Sequence, residues 1–260
     1  MKQWAKKVFS ISLGHRRLFK NAIALLAWFL IWSAASARVK QTLLLPSPMD
    51  TLQALSVLLQ KADFWASAGL SILRILAGFA LGAITGSSLA AFSYRFGFLR
   101  PFFLPFVSAV KAAPIVSFII LAFVWLSPGG VPVFATALIV LPVVYSNLFT
   151  GFQMIDPLLL EMGKGFRLSW RKKIRAIYWP SILPYVRAAI ASGVGMAWKA
   201  GIAAEVIATP PNALGSLLYQ SKIYLDTPGL FASTLAVILL SILLEKMLLR
   251  LLYRRKEEEH

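Results

Sequence analysis

The feature that most constrains this chain is a succession of long apolar stretches, broken only by short segments rich in Pro, Gly and basic residues. The stretches fall at about 21–37, 64–94, 101–126, 131–150, 183–207 and 230–249. Each is of the order of the ~20 residues that an α-helix needs to cross a hydrocarbon core ~30 Å thick. In lipid every backbone polar group must be satisfied within the segment, so runs of this length specify spanning helices. A soluble fold would need a polar skin, and with 58% hydrophobic and 14% charged residues the chain has too little to make one. The expected fold is an all-α polytopic membrane bundle of six transmembrane helices.

Charge sets the expected orientation. Lys and Arg cluster in the tail 1–20, at Arg95 and Arg100, in the segment 151–182 and after Arg250. Eighteen basic residues lie in these segments, against Arg38, Lys40, Lys61 and Lys222 in the alternate ones. Cytoplasmic loops carry the excess of Lys and Arg, so both termini and the 151–182 segment are expected in the cytoplasm. The net charge of +17 thereby reads as positive-inside bias, and nucleic acid is not an expected partner. The chain divides into a basic tail (1–20), a first membrane helix (21–37), an outer interfacial segment (38–63), a five-helix core (64–252) and a short tail (253–260). A rival reading of the N-terminus is a cleavable signal peptide, because Ala35-Ser36-Ala37 resembles a small-residue cleavage site.

Cysteine is absent and the two histidines, His15 and His260, lie near the termini, so disulfides, metal sites and Ser–His catalysis are not expected. No Gly-x-x-x-x-Gly-Lys phosphate loop is present. Catalytic residues, metals and cofactors are therefore all expected to be absent. A membrane-embedded enzyme would need convergent acid, base or nucleophile groups that the spans lack. A passive channel is the other rival.

Local signals place several elements. Ser47-Pro48 is a helix start, with Ser as N-cap and Pro in the first turn. Leu52, Leu55 and Leu59 would give that helix an apolar face along the outer interface. Gly78, Gly82 and Gly86 form a small-residue stripe suited to close helix packing. Asp156-Pro157 starts a cytoplasmic helix of about ten residues that runs towards Phe166, in which Gly163 and Gly165 would keep one surface thin. Such a helix suits docking into a partner's cleft; the alternative is a solvated loop on lipid headgroups.

This segment resembles the cytoplasmic signature of the inner-membrane permeases of ATP-binding-cassette importers: Glu-Ala-Ala, three residues, Gly, nine residues, Ile-x-Leu-Pro. Glu161, Ile177 and Pro180 match, whereas Met162, Gly163, Arg167 and Trp179 depart. Other segments resemble the sulfonate, taurine and nitrate branch of that family. They are Leu45-Pro-Ser-Pro48, Ser71-Ile-Leu-Arg74 with Gly78, Ala197-Trp198 with Ala203-Ala-Glu205, and Leu214-Gly215 through Leu225. The resemblance covers about residues 45–252.

It implies a type I importer permease in the bacterial inner membrane, paired as a homodimer. Two cytoplasmic ATPase subunits and an extracytoplasmic binding protein would be its partners. Pro157, Glu161, Met162, Gly163, Lys164, Gly165, Phe166 and Arg167 would then couple to the ATPase. Charged residues within the spans, which normally face protein or water, point to the path: Lys199, on one stripe with the small residue Ser192, Lys111 about 15 Å along its helix, and Glu205 nearer the outer mouth. Arg74 and Arg187 read as anchors near opposite interfaces, and Lys199 and Glu205 lie too far apart around their helix to pair. The solute would be a small anion such as sulfonate, taurine or nitrate, or alternatively a neutral heterocyclic nutrient precursor.

Overall fold

A computed structural model of the chain describes residues 22–254. The tail expected at 1–20, and residues 255–260 of the tail expected at 253–260, lie outside the described residues. Among the described residues all regular structure is helical: α1 (Ala22–Val39), α2 (Pro48–Gln60), α3 (Ala62–Arg95), α4 (Arg100–Ala112), α5 (Ile115–Ala122), α6 (Gly130–Gln153), α7 (Pro157–Gly165), α8 (Trp170–Lys173), α9 (Trp179–Ala208), α10 (Leu214–Ile223) and α11 (Thr227–Arg254). A π-helical turn, Ile174–Tyr178, joins α8 to α9. Five helices are long and apolar enough to cross a membrane, and the α4–α5 pair makes a sixth span if taken together.

Three helices form the centre. α6 packs between α3 and α9, and α3 also touches α9. The glycine stripe explains how closely α3 approaches. A Cβ at Gly82 would lie 2.6 Å from the Ala137 carbonyl oxygen, and one at Gly86 2.6 Å from that of Leu141. Without apolar driving force between helices in lipid, such backbone-to-backbone contact is a main source of packing energy. Val140, Val144, Tyr145 and Leu148 of α6, Ile75 and Ala90 of α3, and Ala197 and Trp198 of α9 fill the shared core. α11 packs on α2, α10 and α9. α1 is tied in near its end, where Trp32 donates to the Pro46 carbonyl at 3.1 Å and its ring meets Phe231.

One expectation needs correction. The stretch 101–126 is not one helix: α4 and α5 meet at 98°. Pro114 has no amide hydrogen to continue the ladder, and it drives the preceding Ala113 into an extended conformation, φ −75° and ψ 142°. Lys111 therefore sits in the last turn of α4, beside the break, rather than midway along a continuous span. α2 forms where Ser47-Pro48 placed its start: Ser47 caps it, and a full capping box with Asp50 forms. Pro48, Thr51 and Leu55 are buried, and Leu52 and Leu59 are 46% and 40% exposed.

Candidate functional site

The bend at Ala113-Pro114 opens a cavity of about 550 Å³ between α4, α5, the middle of α6 and the middle of α9. Lys111 enters it from α4, Ser146 and Asn147 from α6, and Ser192 and Met196 from α9. Pro142, inside α6, lines it as well. Asn147 spends an amide hydrogen on the Val143 carbonyl at 2.8 Å, and Ser192 donates its hydroxyl to Ala188 at 2.8 Å. The Asn147 side-chain carbonyl and the Ser192 oxygen are thereby held in fixed orientations as acceptors. Lys111 forms no ion pair or hydrogen bond among the described residues. Its position in the last turn of α4 lets the negative end of the helix dipole stabilise its charge.

Lys199 continues this face. Ser192, Met196, Lys199 and Ala203 are spaced on one side of α9 and all are exposed, whereas Gly193, Ala197, Ala200 and Ala204 on the other side are buried. Ser192 and Lys199 are seven residues apart, about 10 Å along the axis. Lys199 also forms no ion pair among the described residues. Thus Lys111, Ser192 and Lys199 share one continuous polar-studded surface.

Glu205 lies elsewhere. It is 0% exposed and sits in a buried polar knot. Ser71 donates its hydroxyl to it at 2.7 Å, the Gly215 amide at 3.1 Å, and Arg74 pairs with it at 3.4 Å. Ser71 also accepts the Leu214 amide at 2.9 Å, and Arg74 donates to the carbonyls of Pro211 and Asn212 at 3.0 and 3.1 Å. These bonds hold the turn after α9, where Thr209 and Asn212 adopt positive φ of 45° and 49°. Gly215 allows the approach, since a Cβ there would collide with Glu205 and the Val206 backbone. Ser71, Arg74, Glu205, Leu214 and Gly215 belong to three separate sequence segments, and the fold brings them together. Reading them apart missed the pairing of Arg74 with Glu205, 131 positions away.

Helix α7 is capped by Asp156, which accepts the Leu158 amide at 2.8 Å. Gly163 is thin against this chain itself, because a Cβ would lie 2.8 Å from Ile177 Cδ1 of the π-helical turn. Gly165 faces open space. The outward surface of α7 is apolar: Leu158, Met162 and Phe166 are 65%, 55% and 74% exposed. Glu161, Lys164 and Arg167 are exposed around them.

The fold defines a helical membrane protein with a largely apolar cavity, carrying a few polar groups, at the bend of one span, and an apolar-faced helix beyond its basic end. Residues 78–257 match the binding-protein-dependent transport system inner membrane component family, and the chain belongs to that family. It is similar to a probable ABC transporter permease protein of Brucella melitensis, 23% identical over 232 residues, covering 89% of this chain and 92% of that one. A putative aliphatic sulfonates transport permease protein of Escherichia coli is 26% identical over 208 residues, covering 77% and 79%. The taurine transport system permease protein of the same organism is 21% identical over 245 residues, covering 92% and 87%. The chain is thus a non-catalytic permease subunit of an ABC importer, a multi-pass protein of the bacterial inner membrane that works with ATPase and binding-protein partners.

Proposed function

We propose that the cavity at the α4–α5 break and the exposed stripe on α9 form this chain's share of a translocation path for a small anion. The observation that carries the reading is the meeting of Lys111 and Ser192 in one cavity, with Lys199 on the same α9 face and no carboxylate among the lining residues. An ammonium within a span is costly unless it faces water, an acid or an anionic ligand. Two such lysines on an open, otherwise weakly polar surface suit a path in which a sulfonate or similar group is drawn in and released. The similarity to sulfonate and taurine permeases supports this substrate class. Glu205, whose oxygens are engaged within the chain, frames the path rather than lining it.

In this reading two copies of the chain form a symmetric homodimer with the α9 stripes facing its axis, bound to two ATPase subunits. In the same reading both termini and α7 are cytoplasmic, which the basic asymmetry supports. Leu158, Met162 and Phe166 are the knobs that enter the ATPase cleft, with Pro157, Glu161, Lys164 and Arg167 at their edges. Gly163 seats α7 on Ile177, so α7 and the start of α9 move as one piece. Native mass spectrometry of the complex purified with its partners tests the assembly. Two permease copies with two ATPase subunits, and a sulfonate-bearing ligand on the binding protein, are expected. A heterodimer with a second permease, or a neutral heterocyclic ligand, would overturn the corresponding part.

A further inference from the structure

A second cavity, of about 380 Å³, opens where α3 and α6 end, between them and the segment that leads into α9. Its walls are aromatic. Tyr94 stacks on Phe152 at 5.2 Å between ring centres, Trp170 meets Tyr178 at 5.7 Å, and Phe96 and Trp179 complete the lining. Among the lining residues the one charged group is Arg95, whose guanidinium lies 5.2 Å over the Phe96 ring. Arg171 and Arg175 directly follow the lining residues Trp170 and Ile174 in the chain, and both are exposed. None of the three arginines forms a salt bridge among the described residues.

Trp and Tyr clustered at the end of a membrane bundle mark the level of the lipid headgroups. An apolar slot at that level, with the Arg95 guanidinium in its lining and the exposed Arg171 and Arg175 next to its wall residues in the chain, matches a phospholipid in both of its parts. The slot takes a hydrocarbon chain, and Arg95 can hold a phosphate through paired N–H donors. A soluble anion would leave the slot empty. A zwitterionic lipid would bring its own cation against the arginines. We infer that this cleft is a specific binding site for an anionic phospholipid. Its wall residues Trp170, Ile174 and Tyr178 belong to the segment whose Ile177 supports α7, so a bound lipid also braces that helix.

The test is native mass spectrometry of the detergent-purified complex titrated with dioleoyl phosphatidylglycerol or dioleoyl phosphatidylcholine. The wild-type complex should retain about one phosphatidylglycerol per permease chain and little phosphatidylcholine. The double variant Arg95→Gln, Arg171→Gln should retain about 25-fold less, about fivefold for each basic residue lost at an anionic surface. Lysine at both positions should restore most of it. Ala91→Trp, which fills the slot without changing charge, should lower retention as well, and glycerol phosphate should not compete. Equal retention of the two lipids, retention untouched by both the glutamine pair and Ala91→Trp, or displacement by glycerol phosphate would each overturn the assignment. Where the glutamine variant fails to assemble, the wild-type lipid preference and Ala91→Trp decide.

Discussion

Removing Arg74 should damage this protein more than removing Arg74 and the charge of Glu205 together. In the native knot Glu205 is fully buried and accepts from Ser71, Gly215 and Arg74. Arg74→Met deletes the only cation that pairs with it among the described residues and leaves a charge in the bundle, a change that costs about 3–5 kcal/mol when one partner of a buried pair is lost. The Pro211 and Asn212 carbonyls also lose a donor, but those bonds are solvent-exposed and water can replace it. Glu205→Gln added to Arg74→Met keeps the side-chain shape and its contacts with Ser71 and Gly215. What then remains is a neutral amide with an incomplete set of partners, at about 1–3 kcal/mol. The double variant should therefore be about 2 kcal/mol more stable than Arg74→Met alone. Thermal unfolding in mild detergent, followed by tryptophan fluorescence, should rank the wild type first, the double variant second and Arg74→Met last. A double variant no more stable than the single one would refute the pairing as the knot's main energetic link.

Other outcomes follow from the same geometry. Gly82→Leu should permit membrane insertion yet prevent stable assembly, because its Cβ alone would press on the Ala137 carbonyl at 2.6 Å; separating inserted from assembled protein on a sizing column checks this. Ser47→Ala should loosen α2 by about 1–2 kcal/mol through loss of its capping box, read as faster proteolysis near residues 45–60. Met162→Asp with Phe166→Asp should abolish substrate-stimulated ATP hydrolysis while insertion is unchanged, since both side chains are mostly exposed. Normal hydrolysis in that variant would make α7 a headgroup-binding loop.

The spans were legible because apolar length is a property of the sequence alone, and both proline-led helix starts were legible because a capping residue acts on its own neighbours. Ser47 with Asp50, and Asp156 with Leu158, are contacts over two or three positions. What escaped were features decided by distant partners. Pro105 and Pro114 sit in the same apolar stretch, yet Pro105 is absorbed inside α4 and only Pro114 breaks the span. Gly163 was read as thin towards a partner protein, whereas Ile177 of the same chain occupies that space. Lys111 and Ser192 were candidates on separate grounds, and the bend that joins them in one cavity has no signature beyond one proline among several. Arg74 was read as an anchor at the interface because nothing local ties it to Glu205.

If Lys199 and the Lys111 cavity lie on the path of an anionic solute, uptake depends on both lysines. The complete complex, reconstituted in proteoliposomes with its ATPase and binding protein, would be given the solute that co-purifies on that binding protein. Lys199→Met removes the charge and keeps the length of the side chain. Uptake should fall at least tenfold, about 1.4 kcal/mol of lost stabilisation, while subunit stoichiometry is unchanged, and Lys111→Met should act in the same direction. Full uptake in both variants, with the complex intact, would contradict the account.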